Sequence, residues 1–202
     1  VASAVGTPKF EAGPIGQAIR VNNLKDGSVN NYVTLGYPSG LKFGDTGSFT
    51  VSFWTKLNSQ AGDQAFISNK DWNSSNNRGW GIFSQGGGKV RNQFSGPISA
   101  DKYSQTPALG LNDAQWHHVA ITYSKASGRC KLFVDGRVSM NVQIPPSAPD
   151  IPSSGLLVLG NKPGCDLLSK EEQHQISSDT FLNSNASSIL FPLHGNQSVH
   201  RK

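Results

Sequence analysis

Glutamate is nearly missing from this chain of 202 residues: Glu11, Glu171 and Glu172 are the only three. Cleaving a glycosidic bond takes two carboxyl groups flanking it, about 5–5.5 Å apart where one acts as nucleophile. None of the three glutamates sits in an alternating, strand-like run. Asp45, Asp63, Asp71, Asp101, Asp113 and Asp135 all fall in or beside turn sequences, where a carboxylate caps backbone N–H groups. Cysteine is equally scarce. Cys130 and Cys165 permit one disulfide without requiring it, and neither belongs to a Cys-x-x-Cys pair of the zinc-holding kind. No stretch approaches the roughly 20 apolar residues that cross a bilayer as a helix, so membrane insertion is not expected. The opening Val1-Ala2-Ser3-Ala4 carries no basic-plus-apolar signal; in a secreted protein that signal would be removed or lie upstream. No serine stands in a Gly-x-Ser-x-Gly elbow, which removes support for a serine triad. The run Gly86-Gly87-Gly88 is followed by neither a Lys-Ser nor a Lys-Thr pair, so it is no phosphate-cradling loop.

Charge excludes a further class. The net charge is +5 and the pI near 9.3, yet lysine and arginine are scattered from Lys9 to Lys202 without a dense tract. No nucleic-acid recognition motif accompanies them, so nucleic acid is not an expected partner, while a preference for anionic glycans stays open.

What is present reads as a single all-β domain with a substantial core. The 22 glycines and 11 prolines suit many short strands and turns. The residue pattern predicts strands over 18–21, 32–35, 44–57, 64–68, 80–84, 89–94, 116–123, 131–134 and 137–143, and the continuous apolar run 155–160 reads as one more. The glycine run at 86–88 is expected to be a hairpin turn. The segments 95–112 and 144–152 read as connections, the second because of its prolines. In the run 49–57, Phe49, Val51, Phe53 and Leu57 alternate with Thr50, Ser52, Trp54 and Lys56, giving a two-faced central strand. Cys130 shares the parity of Leu132 and Val134, so its thiol is expected inside, unpaired, as a small apolar group.

The stretch WHHVAITY at 116–123, its turn and KLFVDG at 131–136 resemble the centre of laminin-G-like and pentraxin-like jelly rolls of the concanavalin A type. Upstream, GQA at 16–18 and YVTL at 32–35 are similar to the start of such modules. The resemblance implies a two-sheet antiparallel β-sandwich over residues 1–162. The pattern stops near Lys162, and the tail 163–202 is expected to be largely irregular, with the family's first and last strands not evident. It also implies a non-catalytic carbohydrate-binding or adhesion module of a secreted or cell-surface protein. Its partners would be glycans, glycoconjugates or other extracellular proteins. The alternatives are a protein–protein spacer module and a glycoside hydrolase or lyase on the same sandwich. Such hydrolases place an E-x-D-x-E pattern on one strand, and this chain has none.

Within that frame the segment 69–80, NKDWNSSNNRGW, is the first candidate site. Asn69, Asp71 and Asn73 offer hard oxygens, Trp72 and Trp80 offer indoles, and Arg78 offers a guanidinium; such groups stack on sugar rings and bond their hydroxyls. Trp72, Trp80, Asn73 and Arg78 are therefore candidate ligand-binding residues. Calcium, the usual ion of these modules, would be taken by Asp71 and Asn73, joined by Asp26 or Asp113. The competing reading is that Trp72 and Trp80 pin the segment to the sandwich. Trp54, on the polar face of its strand, is a second sugar-stacking candidate unless a neighbouring loop covers it. His117 and His118 are adjacent on a strand and project to opposite faces, so they cannot chelate one ion; one is expected at the sheet edge and the other in solvent.

Overall fold

The computed structural model describes residues 2–22, 31–36, 48–57, 65–70, 79–95, 102–143, 157–160 and 186–190. Its strands are β1 (Ser3–Val5), β2 (Lys9–Ala12), β3 (Gln17–Asn22), β4 (Tyr32–Gly36), β5 (Phe49–Leu57), β6 (Ala65–Ser68) and β7 (Gly79–Gln85). They continue as β8 (Lys89–Ser95), β9 (Lys102–Gln105), β10 (Trp116–Ser124), β11 (Arg129–Val134), β12 (Arg137–Gln143), β13 (Leu157–Leu159) and β14 (Ala186–Leu190). Two seven-stranded sheets result, ordered β1-β4-β13-β6-β7-β8-β9 and β12-β11-β10-β5-β14-β3-β2. Every pairing among the described strands is antiparallel. The chain is thus all-β, a jelly-roll sandwich, and no helix among the described residues is long and apolar enough to cross a membrane.

Local sequence explains the central strands. In β5 the residues Phe49, Val51, Phe53, Thr55 and Leu57 are buried while those between them are at least partly exposed, the period of a strand with one dry face. In β10, Val119, Ile121 and Tyr123 repeat this, and in β11 Cys130, Leu132 and Val134 do so. The core lies between the sheets. Phe49 and Tyr123 from the second sheet, 5.6 Å apart, meet Trp80 and Phe94 from the first, with ring centroids 5.8–5.9 Å apart across the sheets. Phe53 and Phe66 join across it at 5.1 Å. Asn92 on β8 donates its Nδ2 hydrogen to the Cys130 sulfur at 3.3 Å, so the buried thiol is free and serves as a small core group.

The two sheets differ in a way that decides where a ligand can reach. In the first, all residues of β6 and β13 are buried, as is β7 up to Ser84, so these strands are dry on both sides. In the second, β5, β10 and β11 keep one face accessible.

Four features depart from the sequence reading. The segment 95–112, taken as a connection, contains β9 on the edge of the first sheet. The opening residues contribute β1 and β2, which pair with β4 and β3. The tail beyond 162, expected to be largely irregular, also contributes a strand: β14 inserts between β5 and β3 in the second sheet. A five-residue strand with two serines has too little alternation to announce itself, and its position is fixed by the open edges of β5 and β3. Trp80 is the fourth departure, since its side chain is buried in the core. The expected connection 144–152 lies outside the described residues.

Candidate functional site

The base of the first candidate segment is a hydrogen-bonded clamp. The Asn69 N–H donates to the Trp80 carbonyl at 3.0 Å, and the Trp80 N–H donates to Asn69 Oδ1 at 2.8 Å. Asn69 is 3% exposed, so its amide oxygen, read from sequence as a ligand donor, is committed to the backbone instead. Gly79 adopts φ +113°, and a Cβ there would come within 2.7 Å of Asn69 Oδ1, so the clamp requires glycine. Trp80 is 0% exposed and packs on Phe49. An indole with no accessible surface cannot stack on a sugar, so Trp80 is a core residue and leaves the list of ligand contacts. Asp71, Trp72, Asn73 and Arg78 lie outside the described residues.

Trp54 is placed differently. It projects from β5 to the accessible side of the second sheet, opposite His118 on β10. The two rings lie 5.2 Å apart, tilted by 54°, and both residues are partly exposed. The register extends this surface. Ser52 faces Ala120, which faces Phe133 on β11, which faces Val138 on the edge strand β12. Val138 is 55% exposed. One step along, Thr50, Thr122, Lys131 and Asn141 form a parallel row of hydroxyls, a cation and an amide. Aromatic faces beside hydroxyl, amide and ammonium groups provide stacking area and directional hydrogen bonds on one surface.

His117 turns the other way, as strand parity requires, and enters a carboxylate cluster that the sequence reading missed. Its Nδ1 lies 2.8 Å from Asp135 Oδ2, and its Nε2 lies 3.1 Å from Asp113 Oδ1. Each carboxylate also caps a turn, as turn aspartates were expected to: Asp113 Oδ1 accepts the Gln115 N–H at 2.9 Å and Asp135 Oδ1 accepts the His118 N–H at 2.8 Å. Burial opposes charge on His117, yet hydrogen bonds to Asp135 and Asp113 and their negative charges prevail, raising it above its ordinary 6.5. The Gln115 N–H, then His117, hold Asp113 below its ordinary 3.8. For Asp135 burial again opposes charge, and the bonds from His117 and the His118 N–H outweigh it, so its pKa is also lowered. This donor set does not suit a cation, because the ring nitrogens direct N–H groups at the very oxygens that would bind it. Among the described residues no three His, Cys, Asp or Glu side chains gather as a metal site. The signal available in the sequence was the hairpin register, which sets Asp135 just beyond the pair Val119–Val134 and beside His118.

Residues 26–170 match the family model described as the concanavalin A-like lectin/glucanases superfamily. The human adhesion G protein-coupled receptor D2 is 33% identical over 78 residues, covering 39% of this chain and 8% of the receptor. A structure of botulinum neurotoxin type C, whose cell entry is described as dependent upon interaction with two ganglioside molecules, superposes with a TM-score of 0.66 at 14% identity. It covers 94% of this chain and 41% of the toxin chain. The binding domain of botulinum neurotoxin DC in complex with rat synaptotagmin II gives 0.62 at 12% identity, covering 94% and 41% of the respective chains. This chain therefore spans a small part of the receptor and less than half of each toxin chain.

Proposed function

The chain belongs to the concanavalin A-like lectin/glucanases superfamily, and from that membership we propose that it is a non-catalytic carbohydrate-binding or adhesion module. It acts through the outward face of β5, β10 and β11. The observation that carries this reading is the Trp54–His118 pair on the accessible sheet, with Ser52, Phe133 and Lys131 on the same face. An indole with one open side suits the apolar face of a pyranose, and the flanking hydroxyls and ammonium suit its polar rim. The scarcity of glutamate argues for binding over hydrolysis. The match to an adhesion receptor supports a secreted or cell-surface setting. Asp71 and Asn73 are retained as calcium ligands and Trp72, Asn73 and Arg78 as further ligand contacts within this proposal, on the chemistry of their donor groups alone.

A protein partner is the second reading. The exposed Val138 beside Phe133 favours it, since an apolar edge next to an aromatic is what a protein surface would cover. A glycan array followed by calorimetry separates the two. Wild-type protein is expected to retain glycans that Trp54→Ala does not, with calcium present and after chelation. Failure of the wild-type domain to retain any glycan under either condition refutes the carbohydrate reading.

A further inference from the structure

His117 stands where two turns meet one strand. Asp113 belongs to the turn that leads into β10, and Asp135 to the turn that joins β11 to β12. Both are fastened to the same imidazole, at 3.1 and 2.8 Å. A carboxylate only accepts, so each contact needs an N–H on the ring, and only the imidazolium carries two. A neutral ring keeps one contact and turns a lone pair toward the other carboxylate. The same two turns contain the two non-glycine residues with positive φ among those described, Ala114 at 63° and Asp135 at 49°. Such backbone persists where its surroundings hold it. The tether runs on into the accessible face, because the other oxygen of Asp135 accepts the His118 N–H, and the His118 ring lies against Trp54.

We infer that Asp113, His117 and Asp135 form a proton-operated clasp that fastens both turns to the start of β10 and thereby positions His118 beside Trp54. With its proton lost, one turn is released and this end of the outward face loosens. That loosening affects ligand binding only in so far as the face is the contact surface proposed above.

Among the described residues, the charged and titratable groups around His117 are few. They are Asp113 and Asp135 in contact, His118 next to it, Lys56 near it on β5 and Arg137 at the start of β12, and β14 has no titratable residue. The raised pKa of His117 sets the sign. Stability from the clasp is fully present below the ordinary histidine value and is lost as pH rises through the higher folded value. The lowered carboxylates add stability that is present above their ordinary value and lost as pH falls through their folded values. The clasp is therefore strongest between the two ranges, in mild acid.

Nitrogen-15 imidazole NMR of the whole chain, titrated from about pH 5 to about pH 9, reads the proton directly across the histidine range. His117 is expected to carry two N–H groups at the acid end and to lose one only above the ordinary histidine value of 6.5. Protection of the Gln115 and His118 amides, corrected for intrinsic exchange, is expected to fall several-fold over the same step. Asp113→Asn is expected to lower the His117 midpoint and uncouple Gln115 from it. A neutral His117 at pH 6, or amide protection that ignores its titration, overturns the inference. These readings need no ligand and no histidine variant, so a domain that shows the clasp yet retains no glycan refutes only the reading of the face.

Discussion

Replacing Trp80 by alanine removes the largest of the fully buried side chains among the described residues. A buried indole takes about 150–250 Å² out of water, and at roughly 25 cal/mol per Å² its loss costs about 4–6 kcal/mol. Truncations of this kind in other cores cost about 3–5 kcal/mol. The neighbours leave little room to collapse: Phe49 sits 5.9 Å away, itself held by Phe94 and Tyr123. Since whole domains are stable by about 5–15 kcal/mol, Trp80→Ala should remove a large fraction of the folding free energy. Trp54→Ala is expected to behave otherwise. It opens no closed cavity, and it loses chiefly the pairing with His118, about 1 kcal/mol. Urea unfolding followed by circular dichroism, with the slope checked for constancy, measures both. A Trp80→Ala loss below about 1 kcal/mol, against the cavity costs above, or equal losses at the two positions, would refute the division into a core indole and a surface indole.

Two further outcomes follow from the same geometry. Gly88 has φ +65° and a Cβ there would meet the Leu111 backbone nitrogen at 2.2 Å, whereas Gly110 has φ +68° with nothing within 4 Å. Gly110→Ala should therefore cost only the left-handed strain, about 1–2 kcal/mol, and Gly88→Ala about 1–3 kcal/mol more, seen as an earlier urea midpoint. Burial pushes the Cys130 thiol up to about 12, so an alkylating reagent at pH 8 should label it only after denaturation. Rapid labelling of the native protein at Cys130 would contradict its place in the core.

Sequence alone determined the strands whose two faces differ. The runs that became β5, β10 and β11 alternate because one side of each faces the core and the other faces water, a local pattern with the period of the strand itself. That alternation also put Trp54 on the polar side and sent His117 and His118 apart. It was silent on β9 and β14, which are short and carry little alternation, and it left Trp80 open between stacking on a ligand and pinning its segment to the core. In β7 the sequence GWGIFSQ is buried on both faces, so parity gives no contrast between a core indole and a surface one. Which sheet keeps an open face, and that Asp113 and Asp135 close on one imidazole from turns 22 positions apart in the chain, were decided only in three dimensions. Periodicity records each residue's side of its own strand, while accessibility and ion pairing depend on what the rest of the chain brings against that side.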